Sequence, residues 1–290
     1  MLASLGASRA EACSQCMCGT PFPADALGGV STMQLRYGLE DRYLSKSNAL
    51  EEGPGEERER EHRLSAFGVW RPLDHLALQA RLPYNFKELE QEPLGQPAET
   101  GSTQGLGDAE LLALIGVART SGEHPVTLGL VLGLAAPTGS NDLLDGNGVR
   151  RDEHLQPGSG AWSFTGGLNF GASLLGSIVE TGVLARANGE GPHYRYGNAL
   201  LWNAGLTSPS WGACRGVAQL NARWAAHDLE EDGAAAANTG GMVLYATPGF
   251  RWQSGLGVGV EGLVQIPVFQ SLEGVQREHT TARLGLSLDR

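Results

Sequence analysis

The sequence predicts an all-β protein, a transmembrane, antiparallel, up-and-down β-barrel of about 12 strands with long extracellular loops and short periplasmic turns. The pattern behind this prediction is clearest at residues 256–268, where leucine, valine and isoleucine alternate with glycine, glutamate and glutamine. A period of two indicates a β-strand with one apolar and one polar face. The stretch also exceeds the roughly 9 to 11 residues that a tilted strand needs to cross a bilayer.

Composition favours strands over helices as the elements that cross the membrane. The 290 residues include 42 glycines, about twice the usual share of roughly 7%, whereas the hydrophobic content of 41% is ordinary. No apolar run approaches the roughly 18 residues of a membrane helix. A chain of this composition that enters a bilayer must therefore cross it with strands.

The connections between the predicted strands alternate in length. Short turns fall at 72–74, 121–123, near 176, at 208–210 and at 253–255. Long connections follow the odd-numbered strands at 46–61, 87–104, 140–159, 228–239 and 269–279, whereas the one at 188–193 is modest. Bacterial outer-membrane barrels have an even number of strands with long outer loops, so both chain ends are expected in the periplasm. The strands are predicted at 33–43, up to 70, 75–85, from 109, 128–135, 162–170, after 176, from 194, 215–224, 242–252, 256–268 and 282–289.

Aromatic residues distinguish a membrane barrel from a soluble one. On the apolar faces they gather at both strand ends, and two aromatic belts around an aliphatic band match a bilayer with two interfaces. Chance clustering near strand ends is the alternative. The outer belt comprises Tyr43, Tyr84, Trp162, Tyr194 and Trp224, and the periplasmic belt comprises Trp70, Phe250 and Trp252.

The formal charge of -11 excludes a nucleic-acid partner, because phosphate binding requires exposed clusters of lysine and arginine. Acidic residues concentrate at 51–61, 88–99 and 228–232, which are predicted to be solvated loops. The expected location is the outer membrane of a Gram-negative bacterium, with membrane lipid and lipopolysaccharide as surroundings and a small-molecule solute as ligand.

Residues 1–30 are predicted to form a remnant export signal and a cysteine-rich periplasmic segment, and residues 31–290 the barrel. Residues 10–12, Ala-Glu-Ala, are typical of an export cleavage site, but no basic segment precedes them. The thiols of Cys13, Cys16 and Cys18 follow. They predict either a site for a soft metal ion such as Cu(I) or Zn²⁺ or a local disulfide.

Other cofactors are not expected. Covalent haem attachment is excluded because Met17 stands where the C-x-x-C-H motif needs histidine. Cys214 falls on the apolar face of its strand and is expected to be inert. Enzymatic activity is not expected either, since only His75 among the histidines falls on a polar strand face, and no strand pairs it with a serine.

The polar faces of the predicted strands carry more arginine than acid. One interpretation is that these side chains form internal ion pairs that keep a narrow barrel filled and in register. The other is that unpaired guanidinium groups line a pore that favours anionic solutes. The predicted lumen residues are Arg36, Glu40, Arg42, Arg81, Asp108, Glu110, Arg195, Arg215, Arg223, Arg251, Glu261 and Arg283.

Three glycine-containing motifs, GLGD at 105–108, APTG at 136–139 and QPGSG at 156–160, carry a family resemblance. With them the chain resembles the outer-membrane barrel family labelled "transporter" or "MetA-pathway of phenol degradation", over about the whole barrel. The resemblance implies passage of small, often aromatic or hydrophobic, compounds. The chain departs from the pattern in its cysteine-rich start and in its last residues, 288–290, which lack a terminal aromatic.

These observations lead to the hypothesis of a porin-like outer-membrane channel or transporter for small solutes, anionic or aromatic, through a polar, arginine-rich lumen. The alternative hypothesis is a barrel anchor that presents the N-terminal thiols to a metal ion or to a periplasmic redox partner.

Overall fold

The computed structural model describes residues 34–50 and 54–290 of the chain. These residues form β-strands and one 3₁₀ helix, Glu153–Leu155, and no helix among them is long and apolar enough to span a membrane. The strands are β1 (Leu35–Ala49), β2 (Gly55–Leu73), β3 (Leu76–Pro93), β4 (Glu99–Leu106), β5 (Ala109–Arg119), β6 (Val126–Ala136), β7 (Ser163–Leu174), β8 (Ser177–Asn188), β9 (Tyr194–Arg195), β10 (Ala199–Thr207), β11 (Cys214–Ala225), β12 (Leu229–Glu230), β13 (Gly241–Gln253), β14 (Val258–Leu272), β15 (Gln276–Glu278) and β16 (Thr281–Asp289).

The main sheet closes on itself, because β1 pairs with β2 on one side and with β16 on the other. β4 and β5 both pair with β3, so they are one barrel strand interrupted at Gly107 and Asp108. β15 and β16 likewise both pair with β1, and β9 and β12 form a separate small sheet. The described residues therefore form a closed barrel of 12 antiparallel strands, which confirms the predicted fold class.

Most large aliphatic side chains of the barrel face outward, and the buried charged side chains face inward. Leu39 and Leu286 are 51% and 53% exposed, whereas Glu61 and Lys87 are 1% and 3% exposed. A soluble barrel shows the reverse, since it buries its aliphatic side chains. An aliphatic exterior on a wall without free strand edges is suited to lipid, and such barrels lie in the bacterial outer membrane.

Residues 256–268, whose alternation predicts the fold, also place aliphatic side chains outward and polar ones inward. Val264, Ile266 and Val268 on β14 are exposed on the outer wall, whereas Gln265 between them is buried inside. The predicted separation of lipid-facing and lumen-facing rows is therefore confirmed here. Leu256 precedes β14 and lies in the turn from β13.

Two predicted acidic loops are wrong, because β2 and β3 extend through most of them. Residues 55–61 and 87–93 are strand, and they pair with each other throughout. The inward side chains Glu57, Glu59 and Glu61 are buried, while Arg60 on the outer face contacts Glu88 at 2.7 Å. Alternating charges that pair across strands support a sheet in the same way as apolar alternation does.

The predicted start of the eighth strand is also wrong. Tyr194 and Arg195 form β9, which pairs with β12 outside the barrel wall, and the barrel strand begins at Ala199. Tyr194 is only 6% exposed, because its hydroxyl donates to the Asp228 carboxylate at 2.7 Å. It is therefore not part of an aromatic belt at the lipid interface. Trp162, Trp224, Trp70 and Phe250 of the predicted belts do lie exposed on the outer wall.

Candidate solute pathway

The inner wall has an apolar side and a charged side. Inward-facing aliphatic residues of β3, β5, β6, β8 and β10 form one buried cluster, against which Val69 of β2 also packs. The remaining inner wall carries most of the charged side chains, which lie mainly on β1, β2, β3, β11, β14 and β16. The members of the apolar cluster are Ala77, Leu112, Leu114, Val131, Leu184 and Leu201.

Two carboxylates organise the charged side. Glu40 lies 2.9 Å from Arg283, 3.5 Å from Arg42 and 3.6 Å from Arg81. Glu261 accepts a hydrogen bond from Arg283 at 2.7 Å and another from Arg251. Arg42 and Arg283 are direct cross-strand partners, and Glu40, which contacts both, offsets the repulsion between their like charges.

Further ion pairs lie at both ends of the lumen. At the periplasmic end Arg36 donates two hydrogen bonds to Asp289, at 2.8 and 3.1 Å. At the extracellular end Glu278 accepts hydrogen bonds from Arg223 and from the Tyr245 hydroxyl. These pairs fit the first interpretation of the predicted arginines, in which ion pairs fill the barrel and fix its register.

The other predicted lumen residues differ in position. Glu110 lies 3.6 Å from Arg186, and Asp108 faces inward at the interruption between β4 and β5. Arg195 lies in the small β9–β12 sheet, away from the barrel strands. Arg215 of β11 faces the lumen, and among the described residues none forms an ion pair or hydrogen bond with its side chain.

Sequence analysis missed several inward-facing charges in the extracellular half. The period of two continues through 46–61 and 87–93, and it places Lys46, Glu57, Glu59, Glu61 and Lys87 on the inner face once these segments are strand. The missed charges include Lys46, Glu57, Glu59, Glu61, Arg63, Lys87, Arg186 and Glu278, and Glu180 is a further missed charge near the periplasmic start of β8. With them included, acidic side chains balance most of the arginines.

A cavity of about 580 Å³ opens at the periplasmic end of the lumen. Five arginines line it, not counting the last residue of the chain: Arg36, Arg81, Arg215, Arg251 and Arg283. Its acidic lining residues are Glu40, Glu261 and Asp289, and Phe67, Val69 and Ile178 supply an apolar wall. We call this cavity the periplasmic vestibule.

The connection between β6 and β7 folds into the extracellular half of the lumen. Its residues 153–159 are buried, and the imidazole Nδ1 of His154 lies 3.3 Å from the Glu59 carboxylate. The Asn85 amide donates to the Pro157 carbonyl at 2.7 Å, and the Thr103 hydroxyl to the Leu155 carbonyl. We call residues 140–159 the inward loop, and its residues 153–159 occupy part of the extracellular half of the lumen.

The three motifs of the family resemblance meet where the inward loop begins and ends. The Asp108 carboxylate accepts hydrogen bonds from the Gly139 amide at 3.0 Å and from the Ser159 amide and hydroxyl at 2.8 and 2.5 Å. A β-carbon on Gly139 would lie 2.7 Å from the α-carbon of Gly158, so neither of these two positions tolerates a side chain. One carboxylate therefore joins both ends of the loop to the barrel wall.

The connection between β11 and β13 also packs at the extracellular end. Asp228 is fully buried and accepts hydrogen bonds from the Gly197 amide at 2.6 Å and from the Tyr194 hydroxyl. Burial raises the pKa of Asp228, and these hydrogen bonds together with the nearby charges of Lys46 and His154 oppose the rise. His154 belongs to the inward loop, so the two connections approach each other above β1.

Predictions about Cys13, Cys16 and Cys18 fall outside the described residues, as does the proposed boundary at residue 30. Within 34–50 and 54–290 no group of three histidine, cysteine or acidic residues is placed to hold a metal ion. Cys214 is exposed at the periplasmic end of β11.

No protein-family model and no curated protein matches the chain. Among solved structures, it is similar to the COG4313 outer membrane channel from Pseudomonas putida F1, with a TM-score of 0.70 and 13% identity, over 93% of this chain and 99% of that one. The chain has an outer-membrane β-barrel fold. Membership of the phenol-degradation type transporter family stays a prediction.

Weaker likenesses extend to other barrels of the same kind. The translocator domain of the autotransporter NalP from Neisseria meningitidis has a TM-score of 0.49 at 14% identity, covering 91% of each chain. The P. putida toluene transporter TodX has a TM-score of 0.42 at 11% identity, covering 93% of each chain. Neither bears on the solute of this protein.

Proposed function

We propose that the protein is an outer-membrane channel that passes small solutes and favours anions. The observation that carries the proposal is the periplasmic vestibule, a polar cavity inside a barrel whose outer wall is aliphatic. A structural anchor needs no such cavity, because side chains can fill a narrow barrel. A solute channel needs it as the aqueous end of its pathway.

The charges of the vestibule support a preference for anions. Without Arg290, the last residue, the vestibule is lined by five arginines and three carboxylates, so cationic groups exceed anionic ones by two. A cavity with charges of one sign in excess and low-dielectric walls raises the local concentration of the opposite ion. The excess is modest, so we expect a preference for anions and not complete rejection of cations.

The inward loop supplies the gate in this proposal. Between the vestibule and the outside, the lumen holds buried charged side chains and residues 153–159 of the loop. A solute passes when the loop moves toward the extracellular side and water hydrates the charges beneath it. The ends of the loop are attached through Asp108, and its centre through His154 and Asn85.

Conductance of purified protein in planar bilayers tests the proposal. We expect single-channel currents and, in a potassium chloride gradient, a reversal potential on the anion-selective side. Arg215→Gln should move the reversal potential toward cation selectivity. Arg119→Gln is the matched control, because Arg119 is exposed at the same end of the barrel but does not line the vestibule.

The proposal fails if the folded barrel carries no current even when the inward loop is released by Asp108→Ala. Its anion preference fails separately if Arg215→Gln and Arg119→Gln shift the reversal potential equally. Folding of each variant is checked by heat-dependent mobility in gels, because intact barrels migrate differently from denatured ones.

A further inference from the structure

Arg215 is placed where a second negative charge is needed. In the ladder between β11 and β13 its direct cross-strand partner is Arg251. Like charges in this position repel, since their β-carbons lie only about 4.5 to 5.5 Å apart. Glu261 pairs with Arg251, but among the described residues no acid contacts Arg215. Within the described part of the chain, Glu261 therefore contacts one guanidinium group of this pair and not the other.

The surroundings of Arg215 are apolar on the side away from the periplasm. Val217, the next inward residue of β11, is 5% exposed and pairs with Thr207 of β10. Thr207 pairs in turn with Ile178 of β8, which is 6% exposed and lines the vestibule. Arg215 thus borders a cross-strand row of Val217, Thr207 and Ile178, of which Thr207 and Ile178 line the vestibule.

We infer that the vestibule binds a small carboxylate with a compact apolar body, and that Arg215 holds the carboxylate while the apolar wall of Phe67, Val69 and Ile178 contacts the apolar body. A guanidinium group matches a carboxylate with two parallel hydrogen bonds, which a halide ion cannot form. The volume of about 580 Å³ lies within the roughly 300 to 1,000 Å³ of pockets for small molecules.

The inference rests on the proposed function for its biological meaning, because it names the class of solute that the channel takes. Binding itself needs no transport, so it can be measured on the detergent-solubilised barrel without a membrane. A barrel that binds the probe but carries no current would refute the channel and keep the binding site. A barrel that conducts but does not bind the probe would refute the binding site and keep the channel.

The probe is 4-fluorobenzoate, followed by ¹⁹F NMR line broadening in a titration with purified protein. We expect saturable binding, at least about tenfold weaker with Arg215→Gln, since a hydrogen bond to a charged group contributes roughly that much. Arg215→Lys should recover part of the loss. Arg119→Gln should bind as the unaltered protein does.

Two further probes separate the carboxylate from the ring. 4-Fluorobenzamide keeps the ring without the charge, and fluoroacetate keeps the charge without the ring, so both should bind at least several-fold more weakly. Equal binding of 4-fluorobenzoate by the Arg215→Gln variant and the unaltered protein would overturn the inference. If 4-fluorobenzamide bound as tightly as 4-fluorobenzoate, the carboxylate would have no role in binding. If fluoroacetate bound as tightly as 4-fluorobenzoate, the apolar wall would have no role.

Discussion

Replacing Asp108 with alanine should release the inward loop. The carboxylate accepts three hydrogen bonds, from the Gly139 amide and from the amide and hydroxyl of Ser159. A hydrogen bond to a charged group contributes about 1.5 to 3 kcal/mol, so the three together stabilise the inward position by about 4 kcal/mol or more. Since each 1.4 kcal/mol is a factor of about ten, the released population should rise by roughly three orders of magnitude.

Single-channel recording in planar bilayers measures this population as the fraction of time spent open. The unaltered channel should be mostly closed with brief openings, and Asp108→Ala mostly open. Ser159→Ala removes only the hydroxyl and should give an intermediate open fraction. Asp145→Ala is the control within the same loop, because that carboxylate caps only the local amides of Asn147 and Val149.

An unchanged open fraction in a folded Asp108→Ala barrel would refute the reasoning. So would an equal increase with Asp145→Ala, since a local turn would then matter as much as the attachment to the barrel wall. A general loss of folding is recognised separately, because it would abolish heat-dependent gel mobility as well as current.

Three further predictions concern other parts of the chain. Burial raises the pKa of Asp228. The contribution of this carboxyl group to loop stability is therefore present below the ordinary pKa of about 3.9 and is lost as pH rises through the raised value. Hydrogen-exchange protection of residues 226–240 should fall with rising pH, and Asp228→Asn should flatten this dependence. Leu132 is exposed on the outer wall, so Leu132→Arg should lower the free energy of unfolding from lipid vesicles by up to about 2 to 4 kcal/mol in urea titrations, and no change would argue against lipid contact there. Metal analysis of purified protein should show Cu(I) or Zn²⁺ lost on replacing Cys13, Cys16 and Cys18 with serine, whereas absence of metal together with two free thiols, one of them Cys214, would favour the disulfide.

The membrane-facing rows could be predicted from the sequence because lipid imposes a strict rule on every second residue. Val264, Ile266 and Val268 had to share a face whatever the rest of the chain did. The rule does not extend above the membrane, where charged side chains are tolerated on either face. For this reason the sequence predicts loops at the paired acidic ends of β2 and β3.

The gate and the vestibule depend on contacts between residues far apart in sequence. Asp108 and Ser159 lie 51 residues apart in the sequence, and nothing in either motif indicates that one binds the other. The position of Tyr194 also depends on a distant residue. Its aromatic ring predicts a place at the membrane interface, but its hydroxyl donates a hydrogen bond to Asp228 in another connection. Arg215 was predicted to face the lumen, but its lack of an acidic neighbour depends on the strand order.

Spin labels on β14 test the central claim, that lipid touches the aliphatic rows while the charged rows face the lumen. Nitroxides at Ile266 and Gln265, introduced one at a time after all cysteines are replaced, are compared for collisions with oxygen and with a water-soluble nickel complex. The label at Ile266 should meet oxygen and exclude nickel, while the label at Gln265 should be shielded from lipid-dissolved oxygen. Oxygen access at Gln265 together with nickel access at Ile266 would contradict the membrane barrel and the channel built on it.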